Sequence, residues 1–154
     1  MMRFIILLLS CVLVFSIVAC SKNSGYSYQE AIRKGDVVVF NEVSNVERFE
    51  EFLANLENNN PDRIRVTGYT DEGDPIFKDL EYDGKVIQYS YDNSHDAYGG
   101  SQKGKKIDVC SRITTEDVLQ GQIDYVISDC VKNYSDVSYF LLRIEKPSLD
   151  AEDT

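Results

Sequence analysis

An uncharged apolar run constrains this chain most: Phe4 to Ala19 (FIILLLSCVLVFSIVA), preceded by Met1-Met2-Arg3 and ending at Cys20. Sixteen uncharged residues, apolar but for Ser10 and Ser16, leave no polar face to turn toward water, so they cannot form an ordinary amphipathic element of a small domain. The run is short for a membrane span, which takes about 20 residues, and its positive start is that of a secretory signal core. An uncleaved signal anchor is the rival reading. In either case residues 1–19 are set aside as a targeting segment, and the fold is sought downstream. The remaining chain is long enough for one domain.

The end of the run sharpens the reading. Ile17-Val18-Ala19-Cys20 places an aliphatic residue and two small or β-branched residues before a cysteine, which resembles the bacterial lipoprotein lipobox. The resemblance implies diacylglycerol on the Cys20 thiol, cleavage before it, and a chain held on the extracytoplasmic face of the cell membrane. Each buried methylene of such an anchor contributes about 0.8 kcal/mol, so two or three long chains suffice for stable attachment. Cleavage would leave 135 of the 154 residues and remove one arginine, taking the formal charge from −10 to near −11. So negative a chain is not expected to bind nucleic acid. Anionic headgroups would also repel it unless cations intervene. Residues 20–27 read as lipidated anchor and short polar linker, 28–147 as the folded domain, and 148–154 as an acidic tail.

Cys11 would leave with the signal and Cys20 would be acylated, so Cys110 and Cys130 remain. In an exported domain they suggest a disulfide closing a loop of about twenty residues, contributing roughly 3 kcal/mol by chain entropy. A pair of free buried thiols is the alternative. Zinc is poorly served, since there is no C-x-x-C and His95 is the one histidine.

An apolar fraction of 43% can fill a core. Ser27-Tyr28-Gln29-Glu30 has capping-box spacing for a short helix ended by Gly35, and Asp36 to Phe40 reads as a brief buried strand. Ser44-Asn45-Val46-Glu47 has the same spacing, and Val46, Phe49, Phe52, Leu53 and Leu56 recur at helical period until Asn58-Asn59-Asn60-Pro61. The period then falls to two. Asp62 to Thr70 alternates Ile64 and Val66 with Arg63 and Arg65, and Pro75–Tyr82 and Lys85–Tyr91 flank Asp83-Gly84 as a hairpin with a two-residue turn. That turn would set Leu80 opposite Ile87, Lys78 opposite Tyr89 and Ile76 opposite Tyr91 on a core face. The other face, with Phe77, Asp79 and Glu81, would be largely solvated. Residues 92–105 lack a period and read as a mobile surface loop. Lys106–Ile113 and Ile123–Cys130 read as two strands whose antiparallel register sets Cys110 opposite Cys130 and Ile113 opposite Ile127. The sulfurs would then lie on the face away from the aliphatic pairs. Ser138–Glu145 is a last strand. The fold class is α+β: an antiparallel sheet of about 5–7 strands, one main covering helix and a short N-terminal helix.

From GDVV and NVERFEEFLANLENN, through RIRVTGYTDEGDPIFKDLEYDGKVIQYSYDNSHDAYG, to the two late cysteines, the chain resembles a family of small exported bacterial lipoproteins. They carry the domain of unknown function 4362 and are met mostly in Bacillus-type Firmicutes. The resemblance implies export and a compact α+β domain. It supplies no catalytic residue, ligand or mechanism.

Candidate chemistry is sparse. Asp71, Glu72 and Asp74 could meet a hard cation such as Ca²⁺, but EF-hand spacing is missing and a solvated turn is the simpler reading. Asp92-Asn93-Ser94-His95-Asp96 invites a triad, yet adjacent residues cannot converge as a triad must. Asp79, Glu81 and Asp83 are imaginable glycosidase carboxylates, with plain solvating charges the alternative. Ten tyrosines could form a binding surface, although Tyr82, Tyr89 and Tyr91 fall on the core face. No cofactor is expected. The expected function is a non-enzymatic envelope lipoprotein that binds an unknown protein or envelope ligand. The alternatives are an envelope hydrolase using Asp74, Asp79 and Glu81, and a small inhibitor or immunity-type protein.

Overall fold

The computed structural model describes residues 25–118, 121–132 and 139–146. Residues 1–24, which hold the expected signal segment and Cys20, together with Ser138 and the expected tail 148–154, lie outside them.

Helix α1 (Tyr28–Lys34) forms as its caps dictate. Ser27 Oγ accepts from the Glu30 amide at 3.3 Å, and Gly35 closes the helix in the left-handed region at φ 86°. Strands β1 (Val37–Val39) and β2 (Val43–Ser44) form a small hairpin. Helix α2 (Val46–Glu57) then returns the chain, so that β3 (Asp62–Tyr69) lies parallel to β1. Beyond it β4 (Pro75–Tyr82), β5 (Ile87–Asp92) and β6 (Lys105–Cys110) add as antiparallel neighbours, in the order β2-β1-β3-β4-β5-β6. A second, antiparallel sheet comprises β7 (Arg112–Val118), β8 (Gln122–Ser128) and β9 (Phe140–Glu145). The α+β class stands, with nine strands among the described residues in two sheets rather than 5–7 in one. One neighbouring pair is parallel because a helical crossover, unlike a tight turn, leaves the direction unchanged.

The core lies between the six-stranded sheet and a cover made jointly by α2 and the second sheet. Phe49 and Phe52 of α2 are fully buried against Val37, Ile64, Val66, Leu80, Ile87 and Tyr89, and Ile127, Leu141 and Leu142 join the same cluster. Phe49 meets Tyr125 edge-on at 5.0 Å between ring centres. Burying aromatic rings of this size dominates such a core energetically.

Several expectations are corrected. The Ser44 capping box does not form: Asn45 is the N-cap, at φ 57°, and its side-chain amide donates to the carbonyls of Ile32 (3.1 Å) and Asp36 (2.7 Å). Ser44 instead shares a 2.9 Å hydrogen bond with the Tyr28 hydroxyl. The β4–β5 hairpin turns on Gly84-Lys85, not Asp83-Gly84, so Leu80 pairs with Tyr89, Lys78 with Tyr91 and Tyr82 with Ile87. The cause is Asp83, whose side chain accepts from the amides of Lys85 (2.8 Å) and Val86 (2.9 Å) and leaves Gly84, at φ 95°, as the first turn residue. Each partner moves by two positions, which preserves the faces and hence the core assignment.

The expected strand Lys106–Ile113 is broken at Ser111, with its halves in different sheets. Ile113 pairs with Ile127 as expected, and the Cys110–Cys130 disulfide is formed. However, Cys110 and Ile127 both enter the core, because the break at Ser111 ends the regular alternation that would have separated them. Cys110 ends a strand of the first sheet and Cys130 comes just after a strand of the second, so the disulfide clips one sheet to the other. Residues 93–104 are not an unstructured excursion. Asn93 is buried, its side chain accepts from the Gly104 amide at 2.8 Å, and a short 3₁₀ turn spans Gly100–Gln102.

Candidate functional site

The outer face of the six-stranded sheet, expected to be largely solvated, is half covered and holds the molecule's main polar constellation. β1 and β3 pair in parallel with Val38 beside Thr67, and both are fully buried under α1. This places the carboxylate of Asp36, itself only 7% exposed, over the sheet. Its Oδ2 accepts from the Thr67 hydroxyl at 2.6 Å and the Tyr26 hydroxyl at 2.7 Å. Burial, reinforced by the bond to Asp36, pushes the Tyr26 hydroxyl up to about 12. Burial, together with the carboxylates of Asp36 and Glu30, lifts Tyr69 to about 12 as well.

Next along β3, Arg65 binds Asp79 of β4 through two bonds, Nε to Oδ1 and Nη2 to Oδ2 (3.0 Å), in the fork geometry that makes guanidinium–carboxylate pairs strong. The pairing to Asp79 raises the Arg65 pKa further, so it stays charged. Its guanidinium carbon sits 4.8 Å above the Phe77 ring, which also meets Tyr26 at 5.1 Å and His95 at 5.6 Å, both edge-on. Phe77 is thus the apolar hub of this face.

At the other end, Arg48 of α2 grips Asp62 with two bonds (3.0 and 2.6 Å) and donates to the Arg63 carbonyl at 2.7 Å. Burial alone would raise the Asp62 carboxyl, but the bonds from Arg48, Asn55 and the Arg63 amide hold it below its ordinary value. Lys34, at the end of α1, pairs with Glu30 at 2.8 Å and lies 4.6 Å over the Tyr26 ring. Of these groups Tyr26, Lys34, Asp36, Arg48, Arg65 and Asp79 line an open cleft of about 660 Å³. Its charged lining comprises Lys34, Arg48, Arg63 and Arg65 with Asp36, Asp79 and Glu81, and the carboxylates of Glu30 and Asp62 are bonded to Lys34 and Arg48, so both signs are interspersed.

The other candidates fall elsewhere. Cys20 lies outside the described residues. Asp71 and Glu72 are exposed at the β3–β4 turn, and the Asp74 carboxylate accepts from the Ala97 amide at 2.7 Å, tying that turn to the 93–104 segment. Asp83 serves its turn, and the amides of Val86 and Lys85 hold its carboxyl below the ordinary value. Asp79 and Glu81 do line the cleft, with Asp79 committed to Arg65. His95 is exposed and rests on Phe77. Asp108, Cys110 and Cys130 bring metal-ligand atom types within 4.8 Å, but the sulfurs are joined to each other. Buried Asp108 accepts from the Tyr139 hydroxyl (2.6 Å) and the Lys132 amide (3.0 Å), which latches the chain beside the disulfide. Of the tyrosines, Tyr82, Tyr89 and Tyr91 are in the core as expected, and Tyr26 and Tyr69 belong to the outer face. Tyr134 lies outside the described residues.

Sequence reasoning overlooked Asp36, Thr67 and Tyr26. The alternation Arg63-x-Arg65-x-Thr67 was a visible signal for one face of β3, but nothing local says that Asp36 will lie over it. Its position depends on the parallel β1–β3 pairing.

No helix among the described residues is long and apolar enough to cross a membrane. One family model, described as a domain of unknown function (DUF4362), matches residues 34–125, a span that takes in every strand from β1 to β7. No curated protein and no solved structure is matched by the chain.

Proposed function

We propose, from the premise that the chain belongs to the DUF4362 family, that it is an exported Bacillus-type lipoprotein. In this reading the α+β domain is tethered to the extracytoplasmic face of the cell membrane through Cys20 and binds an envelope ligand or protein without chemical turnover. The observation that carries the binding reading is the outer-face cleft. Two of its carboxylates are locked in place, Asp36 by two hydroxyls and Asp79 by Arg65, which builds a preorganised concave surface. Asp36 and Asp79, so engaged, are not paired as a nucleophile and a base, which supports a binder over a hydrolase. The anchoring reading is supported by the apolar run and the Ile17-Val18-Ala19-Cys20 sequence.

Two measurements test this. Cys20→Ala should abolish fatty-acid incorporation and move the protein out of the membrane fraction; unchanged labelling and fractionation would refute the anchor. In the binding arm, a pull-down from solubilised membranes should recover a specific partner or ligand that Arg65→Ala loses. Turnover of a wall substrate that falls on replacing Asp74, Asp79 or Glu81 singly would instead establish the hydrolase.

A further inference from the structure

The cleft holds seven charged residues, and their pairing leaves an asymmetry. Asp36 accepts at Oδ2 from the Tyr26 and Thr67 hydroxyls, Asp79 and Arg65 hold each other, Arg48 holds Asp62, and Lys34 holds Glu30. Arg63 and Glu81 remain. They are direct cross-strand partners on β3 and β4, both exposed on the outer face, and oppositely charged. Neighbours of that kind are placed to attract one another across the strands. Here the Arg63 backbone is fixed from below, its carbonyl by Arg48 and its amide by Asp62 at 2.7 Å, and neither side chain has an ion-pair partner among the described residues. The uncommitted charge of the cleft is therefore one guanidinium beside one carboxylate, about 5 Å apart at Cβ as for any opposed pair.

We propose that this cleft receives a small zwitterionic amino compound, a free amino acid or very short peptide, with its carboxylate on Arg63 and its ammonium on Glu81. A guanidinium presents two parallel donors to a carboxylate, and a carboxylate accepts from an ammonium, so the pair matches a zwitterion and mismatches a plain anion, which Glu81 repels. A volume of about 660 Å³ accommodates such a molecule. The cleft is open, so the bound ligand keeps one side in water and the affinity is modest. This deepens the proposed envelope-ligand reading and rests on it.

The test is calorimetric titration of the full chain, purified in detergent, with L-alanine and dialanine. N-acetylalanine, alanine amide and inorganic phosphate are the comparisons, each lacking one charge of the pair. The two zwitterions should bind, and each single-charge compound should bind at least about ten-fold more weakly. Arg63→Gln and Glu81→Gln should each weaken zwitterion binding about ten-fold or more while leaving the melting temperature unchanged, and R63E/E81R should recover part of the loss. Three results would overturn the inference: no heat at about 10 mM of either zwitterion, beyond a millimolar site; binding indifferent to both variants; or phosphate binding as well as alanine with no dependence on Glu81. A specific protein recovered by the pull-down alongside any of these would leave the binder reading intact and sink only the zwitterion.

Discussion

Because the Cys110–Cys130 disulfide joins the two sheets, its removal is the most informative single perturbation of the fold. Replacing both cysteines by alanine opens a loop of 20 residues. The chain-entropy relation then gives a loss of about 11 cal/mol/K, or about 3.3 kcal/mol at 25 °C. The small cavity left by buried Cys110 adds to this. With a urea slope of about 1–3 kcal/mol/M, the midpoint should fall by about 1–3 M. Location adds a second signature. The second sheet is also held to the first by the core contacts of Ile127, Leu141 and Leu142, by Lys78 Nζ on the Leu141 carbonyl, and by the latch of Asp108 to Tyr139 and Lys132. Amides of β7 to β9 should therefore lose hydrogen-exchange protection more than those of β3 to β5, opening as a separate unit. Urea melts with native-state exchange on the C110A/C130A variant measure both. A midpoint shift below about 0.5 M, or a uniform loss of protection across both sheets, would refute the clip.

Three further outcomes are expected from the geometry. Lys78 faces inward from β4, half-buried, with Nζ 3.3 Å from the Leu141 carbonyl, and burial holds its pKa down to about 8. Below that value both states carry the proton and the burial cost is constant; above it the folded state sheds the proton first, so stability rises toward the unfolded value of 10.5. Lys78→Met should accordingly stabilise the protein by about 1 kcal/mol at pH 7, the lost carbonyl bond offsetting part of the relief, with the gain shrinking toward pH 10 in urea melts. Tyr26 and Tyr69 have folded values raised to about 12, so the stability linked to them is complete below about pH 10 and is lost as pH rises through 12. Tyr26→Phe should flatten that alkaline decline in melts monitored by circular dichroism. Phe49→Ala, at a fully buried site on α2, should cost about 3–5 kcal/mol, with a loss below about 1 kcal/mol contradicting its place in the core.

Much of the architecture was legible because it depends on local period and caps. The Ser27 cap, the helix carrying Phe49 and Phe52, the inward faces of β3 to β5, and the Ile113–Ile127 register all arise from residues close in the chain. The Gly84-Lys85 turn escaped because one side chain, Asp83, selects it by accepting from the Lys85 and Val86 amides, which the turn dipeptide alone does not reveal. The candidate site was legible only in fragments. Arg63, Arg65 and Thr67 showed on one face of β3, and Asp79 and Glu81 on one face of β4, but nothing indicated which charges would be paired.

The sequence by itself determined the uncharged apolar run before Cys20, the α+β class and the two late cysteines, since each depends on composition, period or count. Only the tertiary structure decided that the late strands form a sheet of their own, that the disulfide bridges two sheets, and that the outer face carries a cleft. The physical reason is the same in all three. Hydrophobic period says which side of a strand is buried, but not what buries it. The parallel return through α2 is what carries Asp36 and α1 over a face whose own residues read as solvated.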